Sequence, residues 1–386
     1  MNILFLTYWY PSENKPGSGI FIKEHARAID QSGNNVHILH INIQKSKCLL
    51  RIQKESLKGP SEIPVSRINF YTAFDKYLPA FHGLIYFVSL HFLKKRILPV
   101  FTPEILHSNV VYPAGIIGSQ LSKKLKIPHI ISEHWSAITK ILNTPFRKIL
   151  PRNAYKHARF ICPVSYFLAK ELQLNAEITD EQIQIIPNVI DGDFFKFRKK
   201  AKDPGRIKFI AVARWQKWKN VTKRPDLIIH SLAKLNQEID AHIQLEMVGG
   251  GSMVPELKKL CEKLQLDTTF KDWLPKEELA EAYKHADFLI HASNIETFSI
   301  IIPEALKTGT PVIASNVGAI PELINEENGR LCENTIEDWL DNLKTLIATD
   351  FDHKKIAEEF RNRFTYHEIG TKLTDLYNKV VHDLKA

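Results

Sequence analysis

Two short apolar runs around one helix-length segment, between Ala286 and Glu322, constrain the fold more than any other part of the chain. Residues 287–292 form the first run, a polar loop follows, and residues 300–307 read as a helix before the second run at 311–314. Strand, helix and strand in this order are typical of a βαβ unit, which builds a buried parallel sheet. The sequence therefore predicts an α/β fold with doubly wound parallel sheets.

The polar loop after the first run is the predicted binding site, because ligands of open α/β sheets bind beyond the carboxyl ends of the strands. Glu296 lies in this loop and Glu304 lies in the helix. We expect Ser299 to cap the helix, so that the backbone N–H groups of Phe298, Ser299 and Ile300 attract an anion. Two carboxylates beside an anion site suit a nucleotide sugar. For either carboxylate alone, an ordinary solvated position is the commoner explanation.

Glu296 and Glu304 are separated by seven residues, with Phe298 two positions after the first and Pro-Glu at residues 321–322. This motif resembles the retaining glycosyltransferases of family 4, which share the GT-B fold of two Rossmann-like domains facing across a cleft. The resemblance implies that Glu296 contacts the donor sugar and that Glu304 holds the ribose hydroxyls. The family usually has Gly-Phe-Gly where this chain has Thr-Phe-Ser at 297–299.

The resemblance also assigns groups around the donor diphosphate and base. Arg214 and a following lysine would neutralise the leaving diphosphate, and cations after a strand suit that role. Lys223 is the preferred second cation and Lys219 the alternative, because the loop is longer than the family's usual one. Backbone near Leu274 would read the base, and we place Gly249, which follows an apolar run, in the same donor site.

The first half contributes two further candidates. Gly17, Ser18 and Gly19 lie between the first strand and its helix, where glycines let backbone approach a phosphate, although a plain turn is the commoner explanation for such a loop on its own. His134 follows an apolar run at 128–132, where a histidine can donate a hydrogen bond or receive a proton, or be structural. In the resembled family the loop contacts donor phosphate or acceptor, and this histidine touches the donor sugar.

The length of 386 residues exceeds what one core usually holds, so we predict two domains. Residues 1–190 would be the acceptor-side domain, 191–206 the linker and 207–360 the nucleotide-sugar domain. Residues 361–386 include a helix that in the family crosses back to the first domain. Within the first domain, residues 45–58 are expected to form loops or a short surface helix.

Charge and cysteine content restrict the partners and the compartment. Residues 1–190 contain 23 Lys and Arg against 12 Asp and Glu, a net charge of +11. An anionic membrane or a pyrophosphate-linked acceptor explains this excess of positive charge. Nucleic acid ranks last as a partner, since no zinc finger, RNP-type motif or long basic helix is present.

Four scattered cysteines and a first apolar run without a basic leader favour the cytoplasm.

The segment 78–101 is the most apolar of the first half and is interrupted by Lys94-Lys95-Arg96. It is too short and polar to span a bilayer. A helix buried in the domain is one interpretation. The alternative is a helix at the inner face of the cell membrane, with the three cations at the headgroups.

The leading hypothesis is a metal-independent, retaining glycosyltransferase without a cofactor. It would transfer a sugar from a nucleotide-diphosphate sugar, the UDP form being commoner in the family, to a glycan or a lipid-pyrophosphate acceptor in polysaccharide synthesis. Another GT-B activity, such as a sugar-nucleotide epimerase, is an alternative. A non-enzymatic sugar-nucleotide-binding protein is another, and it predicts loss of one of the site residues. A dinucleotide-dependent dehydrogenase needs a third glycine that residues 17–22 lack.

Overall fold

The computed structural model describes residues 1–12, 17–58, 63–77, 81–198, 205–216 and 223–383. The chain divides into two compact units. The first comprises residues 1–189 and 366–386, and the second comprises residues 190–365. Each unit is built on its own sheet.

The first unit contains a seven-stranded sheet in the order β3-β4-β2-β1-β5-β6-β7. Its pairs are parallel except for β3 with β4, which is antiparallel. The strands are β1 (Asn2–Thr7), β2 (Asn35–Lys45), β3 (Arg51–Lys58), β4 (Pro64–Thr72), β5 (Ile105–Asn109), β6 (His129–Glu133) and β7 (Phe160–Pro163).

The prediction of loops or a short surface helix at residues 45–58 is wrong, because β3 occupies Arg51–Lys58. This strand lies at the edge of the sheet and pairs along its whole length with β4. Edge strands carry polar and charged side chains. Ile52 packs against the core, while polar neighbours on both sides hide the alternation that would have indicated a strand.

Helices cover both faces of this sheet. One face packs against α2 and α3, through a core that includes Leu4, Leu39, Ile85 and Leu121. The helices of this part of the chain are α1 (Ile20–Gln31), α2 (His82–Phe92), α3 (Ile116–Leu125), α4 (Ile138–Leu142), α5 (Ile149–His157) and α6 (Tyr166–Ala176).

The apolar segment 78–101 forms α2 and one continuing π-helical turn at Leu93–Ile97; its first three residues lie outside the described part. Ile85 and Phe92 are buried in the core, as the buried-helix interpretation predicts. The outer face nevertheless exposes Phe81 and Phe87, which are 59% and 68% accessible. Among the described residues, no helix is long and apolar enough to cross a membrane.

The second unit contains a six-stranded, fully parallel sheet in the order β10-β9-β8-β11-β12-β13. Its strands are β8 (Arg206–Val212), β9 (His242–Val248), β10 (Asp267–Lys271), β11 (Phe288–His291), β12 (Val312–Ser315) and β13 (Gly329–Cys332). Its helices are α7 (Pro225–Glu238), α8 (Val254–Lys263), α9 (Lys276–His285), α10 (Ile301–Lys307), α11 (Ile336–Ala348) and α12 (His353–Phe360).

The last helix, α13 (Tyr366–His382), belongs to the first unit and packs against α1. Its Ile369, Leu373 and Tyr377 join Ile22 and Ile29 of α1 in the core on the second face of the seven-stranded sheet. The two sheets with helices on their faces are Rossmann-like, as the sequence predicts.

Candidate functional site

The carboxyl ends of four neighbouring strands in the second unit gather most of the predicted donor residues. Arg214 follows β8, Gly249 follows β9, Leu274 follows β10 and Glu296 follows β11. These strands are parallel neighbours in the order β10-β9-β8-β11, so their ends lie along one edge of the sheet. That edge is where an open α/β sheet binds ligands.

The centre of this edge is a carboxylate held by two donors. The Lys223 Nζ atom forms a short ion pair with Glu296 Oε1. His291 Nε2 lies 2.7 Å from the same oxygen and 3.4 Å from the lysine nitrogen. His291 is the last residue of β11 and its side chain is 3% exposed. Sequence reasoning missed it, because a histidine ending an apolar strand carries no motif.

The backbone of Glu296 is fixed as firmly as its side chain. Ala319 N–H donates to the Glu296 carbonyl at 3.0 Å. Gly318 has φ +58°, and a side chain there would come within 2.0 Å of the same carbonyl oxygen. Glycine is therefore required at this turn, since it alone allows so close an approach of two backbones.

The electrostatic surroundings keep Glu296 ionised. Burial alone would raise the pKa of this carboxyl, but the charge of Lys223 and the hydrogen bond from His291 outweigh it and lower the pKa to about 2. Burial, and then the charge of Lys223, lower the pKa of His291 below its ordinary value. At neutral pH the cluster therefore consists of the Glu296 anion, the Lys223 cation and the neutral imidazole of His291.

Lys223 is anchored to the same edge through its backbone. It forms an antiparallel bridge with Ser293, and the next N–H, of Arg224, donates to the Ala292 carbonyl at 3.0 Å. Pro225 then begins α7, where its missing N–H and fixed φ suit a first turn. The alternative cation, Lys219, lies outside the described residues.

Glu304 lies in a different environment, on α10. Tyr283 Oη donates to its Oε2 at 3.1 Å. Burial raises the pKa of Glu304 to about 7, and the tyrosine hydrogen bond and Lys276 only partly oppose this. Lys276 pairs with Asp191 at 3.2 Å. Glu304 is therefore poised to change its charge near neutral pH.

The prediction that Ser299 caps the helix is wrong. Ser299 has φ +63°, whereas a capping side chain requires an extended backbone, and α10 begins after Ile300 without a side-chain cap. Its conformation is one that glycine favours, and the family usually has glycine here. The Ser299 hydroxyl is buried without a hydrogen-bond partner among the described residues.

Phe298 is buried in an edge-to-face contact with Phe364, so only its backbone remains available to a ligand.

Arg214 lines an open cavity of about 600 Å³ together with Trp273 and the glycine turn after β9. Its guanidinium lies 5.8 Å from the centre of the Trp273 ring. Gly249 has φ +112°, and a side chain there would come within 2.0 Å of the Ala213 carbonyl oxygen. The glycine is thus needed to close the turn beside Arg214. Sequence reasoning missed Trp273, although an aromatic residue just before Leu274 was a usable signal.

Leu274 follows this tryptophan and is half-buried. It lines a second cavity of about 480 Å³, whose wall includes Glu246 between Lys208 and Lys271. The backbone near Leu274 remains the predicted contact for the nucleotide base.

In the first unit, a buried carboxylate positions the predicted histidine. Glu133, the last residue of β6, accepts from the N–H groups of His134 and Trp135 at 3.0 Å each. It also accepts from Val111 N–H at 3.0 Å and from Tyr155 Oη at 2.8 Å. Because its carboxylate accepts from four donors, Glu133 fixes the loops that follow β5 and β6 at the carboxyl ends of these strands. The position of Glu133 beside His134 was the signal that sequence reasoning left unused.

His134 itself is buried and held by Asn188, whose Oδ1 lies 3.1 Å from its Nδ1. Its ring lies 4.7 Å from that of Phe21 and 5.3 Å from that of His25. Burial lowers the pKa of His134 well below its ordinary value, so the ring is neutral at physiological pH.

The predicted loop Gly17-Ser18-Gly19 leads directly into α1. Gly19 has φ +63°, and a side chain would come within 2.4 Å of the Trp9 carbonyl oxygen. The glycine therefore allows the loop to lie against the segment that follows β1. Residues 13–16, before this loop, lie outside the described part.

Within the described ranges, no group of three or more His, Cys, Asp or Glu side chains is placed to bind a metal ion. The chemistry that the second unit offers is an anion fixed beside a lysine, an exposed arginine and a second, titratable carboxyl group.

Family models match both halves of the chain. Residues 17–194 match "Glycosyltransferase Family 4", and residues 193–365 match "Glycosyl transferases group 1". With the two Rossmann-like units, these matches define a glycosyltransferase of the GT-B fold. The chain belongs to family 4 of the glycosyltransferases.

Known proteins agree with this assignment. An uncharacterized glycosyltransferase of Methanocaldococcus jannaschii is 24% identical over 318 residues, which is 79% of this chain and 83% of that protein. HepE of Anabaena, solved with UDP, has a TM-score of 0.72 at 16% identity over 98% of this chain and 100% of that chain. The ligand-free lipopolysaccharide outer core galactosyltransferase WaaB has a TM-score of 0.69 at 16% identity, over 97% and 99% of the two chains. The structural matches show the fold alone.

Proposed function

We propose that the protein is a retaining, metal-independent glycosyltransferase that uses a UDP-sugar and extends a glycan or a lipid-pyrophosphate acceptor in the synthesis of capsule or lipopolysaccharide. The observation that carries the proposal is the Glu296 carboxylate, held between Lys223 and His291 beyond the end of β11. A fixed anion beside a cation suits a sugar hydroxyl next to a diphosphate. The UDP found in HepE supports the nucleotide, and the activity named for WaaB supports a glycan acceptor.

In the proposed reaction, an acceptor hydroxyl oxygen attacks the anomeric carbon on the face that the leaving group occupies. The bond from that carbon to the β-phosphate oxygen breaks, and the hydroxyl proton passes to the departing phosphate. Arg214 and Lys223 stabilise the negative charge that grows on the diphosphate, as Mg²⁺ does in other transferases. The donor is the only small molecule required besides the acceptor.

The carboxyl groups have separate roles in this scheme. Glu296, whose pKa is about 2, remains an anion and accepts a hydrogen bond from a hydroxyl of the donor sugar rather than acting as a covalent nucleophile. Lys223 carries three N–H donors, so it can serve Glu296 and a phosphate oxygen together. Glu304 accepts from the ribose hydroxyls, and the neutral ring of His134 contacts the donor sugar.

The membrane is the proposed location of the acceptor. Helices α2, α3 and α5 pack side by side on one face of the first sheet. Residues 81–157, which span them, contain 11 Lys and Arg but only Glu104 and Glu133. Glu133 is buried, and Glu104 accepts from the Asn2 N–H. The outer face of this helix layer therefore combines positive charge with exposed Phe81 and Phe87, which suits the anionic cytoplasmic leaflet.

A thermal-shift screen followed by product analysis tests the proposed function. UDP-sugars and GDP-sugars are screened at equal concentration, and the stabilising donor is then incubated with a lipid-linked acceptor. We expect stabilisation by a UDP-sugar and a product whose anomeric configuration by NMR equals that of the donor. Binding without transfer to any acceptor would favour a non-enzymatic binding protein, and a changed sugar nucleotide would favour an epimerase.

A further inference from the structure

His291 is the one polar side chain of β11, whose other residues are Phe288, Leu289 and Ile290. All four residues are buried. An apolar residue would satisfy the packing at this strand end, because the neighbouring positions of β12 are also apolar or small. The histidine ring instead directs Nε2 at the groups of the proposed donor site.

The hydrogen on the ring can be assigned from its partners. An ionised carboxylate only accepts hydrogen bonds and an ammonium group only donates them. Nε2 lies 2.7 Å from Glu296 Oε1 and 3.4 Å from Lys223 Nζ. Nε2 must therefore carry the hydrogen and donate it to Glu296, so the lysine directs its own hydrogens to the carboxylate as well.

This arrangement places two donors on one oxygen. Lys223 and His291 both reach Oε1 of Glu296, and they approach from different elements, the segment before α7 and the end of β11. The carboxylate cannot turn without losing both bonds. Oε2 is then the oxygen that can accept a hydroxyl hydrogen of the donor sugar.

We propose that His291 is a positioning residue of the transfer reaction: it holds the carboxylate of Glu296 in the orientation that meets the donor sugar. This inference rests on the proposed function of Glu296. Other buried histidines show the structural alternative, since His107 bonds to Tyr377 at 2.6 Å and to Ser132 at 2.8 Å, within the core of the first unit. His291 bonds instead to the carboxylate of Glu296.

The first test compares His291→Leu with His291→Gln, whose amide N–H₂ group can replace the lost donor. We expect kcat to fall roughly 10- to 100-fold in His291→Leu, the scale of a small misplacement in a reacting site. The donor KM should change less, and His291→Gln should recover part of kcat. His37→Leu is the matched control, because it removes a buried histidine bonded to Ser66 in the first unit and should lower stability without changing kcat.

A pH profile separates positioning from packing. Among the described residues, the titratable groups that face Glu296 are Lys223 and His291. Loss of the histidine donor removes a bond to the ionised form and raises the pKa of Glu296, so the acid limb of kcat should move to higher pH. His37→Leu should leave the limb in place. An unmoved limb in His291→Leu would contradict the proposal.

A double-mutant cycle gives the decisive outcome. If His291 acts through Glu296, adding His291→Leu to Glu296→Gln lowers kcat no further. Losses that multiply would show that the two residues act independently and would overturn the proposal.

The same cycle measured by denaturant unfolding keeps the test independent of turnover. If the wild type transfers no sugar from any nucleotide, the proposed function fails while the contact can still be examined. Non-additive stabilities and an Nε2-protonated ring in ¹⁵N NMR would then support the assigned hydrogen bond. Additive stabilities or an Nδ1-protonated ring would overturn it.

Discussion

Glu296 and Glu304 differ in pKa although both side chains are partly buried. Lys223 and His291 lower the pKa of the first to about 2, whereas burial raises that of the second to about 7. The difference arises from the direct partners, which are a cation and an imidazole in one case and the Tyr283 hydroxyl in the other. The two glutamates of one motif are thereby prepared for different tasks.

Replacing each glutamate by glutamine should separate these tasks. Glu304→Gln should weaken nucleotide binding about 10-fold, because a neutral amide accepts less strongly from ribose hydroxyls than a carboxylate does. Glu296→Gln should leave nucleotide affinity within a few-fold and lower kcat about 100-fold. Calorimetry with the free nucleotide measures the affinity, and initial rates of transfer measure kcat. Small, equal effects of both variants on both quantities would remove the assigned roles.

The raised pKa of Glu304 also predicts how stability depends on pH. The folded protein retains this proton up to about pH 7, whereas the unfolded chain loses it near the ordinary value of 4.5. The free energy of unfolding should therefore fall as pH rises from about 4.5 to 7, by up to about 3 kcal/mol. Glu304→Gln should lack this fall in urea unfolding at matched pH values. An identical pH dependence in the variant would contradict the assignment.

At the scale of elements, the turn after β12 is as important to the site as the loop that carries Glu296. Gly318→Ala forces a side chain toward the Glu296 carbonyl oxygen in a backbone conformation that favours glycine. We expect a loss of stability of about 1–3 kcal/mol and a fall in kcat as the loop moves. Gly83→Ala on α2 is the control, since a side chain there meets nothing within 4 Å. Equal stability of the two variants would show that the turn tolerates displacement.

The sequence predicted the elements that carry a hydrophobic pattern and missed those that do not. The β11–α10–β12 unit lies within one or two residues of its predicted bounds, because its apolar runs are buried on both faces. The edge strand β3 was missed, since its polar residues hide the period of two. The residue type of Ser299 predicts a helix cap, but the tight turn imposes a positive φ that no local sequence pattern indicates.

The site was predictable only where a motif marks it. Glu296, Glu304 and Arg214 follow from spacing and resemblance, and the structure gives each a defined environment. His291 and Trp273 depend on which strand ends are neighbours in the sheet, and the strand order β10-β9-β8-β11 departs from sequence order. Contacts created by such crossovers cannot be obtained from a sequence read in order.

At the scale of the whole molecule, the basic helix layer predicts reversible membrane binding. Each cation near an anionic leaflet contributes on the order of 1 kcal/mol, so several suffice without a spanning helix. We expect flotation with anionic vesicles at low salt and release at high salt. Replacing Lys94, Lys95 and Arg96 together by glutamate should abolish flotation.

A matched control exists on α8 of the second unit, where Lys258, Lys259 and Lys263 are exposed. Their replacement by glutamate changes the net charge equally but should leave flotation intact. Equal loss in both variants would indicate a general charge effect, and a wild type that stays unbound at low salt would end the membrane proposal.

In the proposed mechanism, protein cations rather than a metal ion stabilise the leaving diphosphate beside a fixed Glu296. The initial rate of sugar transfer from the stabilising UDP-sugar is therefore measured in excess EDTA. We expect EDTA to leave the wild-type rate unchanged and Lys223→Ala to lower it about 100-fold or more. A wild-type rate that EDTA abolishes and Mg²⁺ or Mn²⁺ restores would show that a metal ion is required.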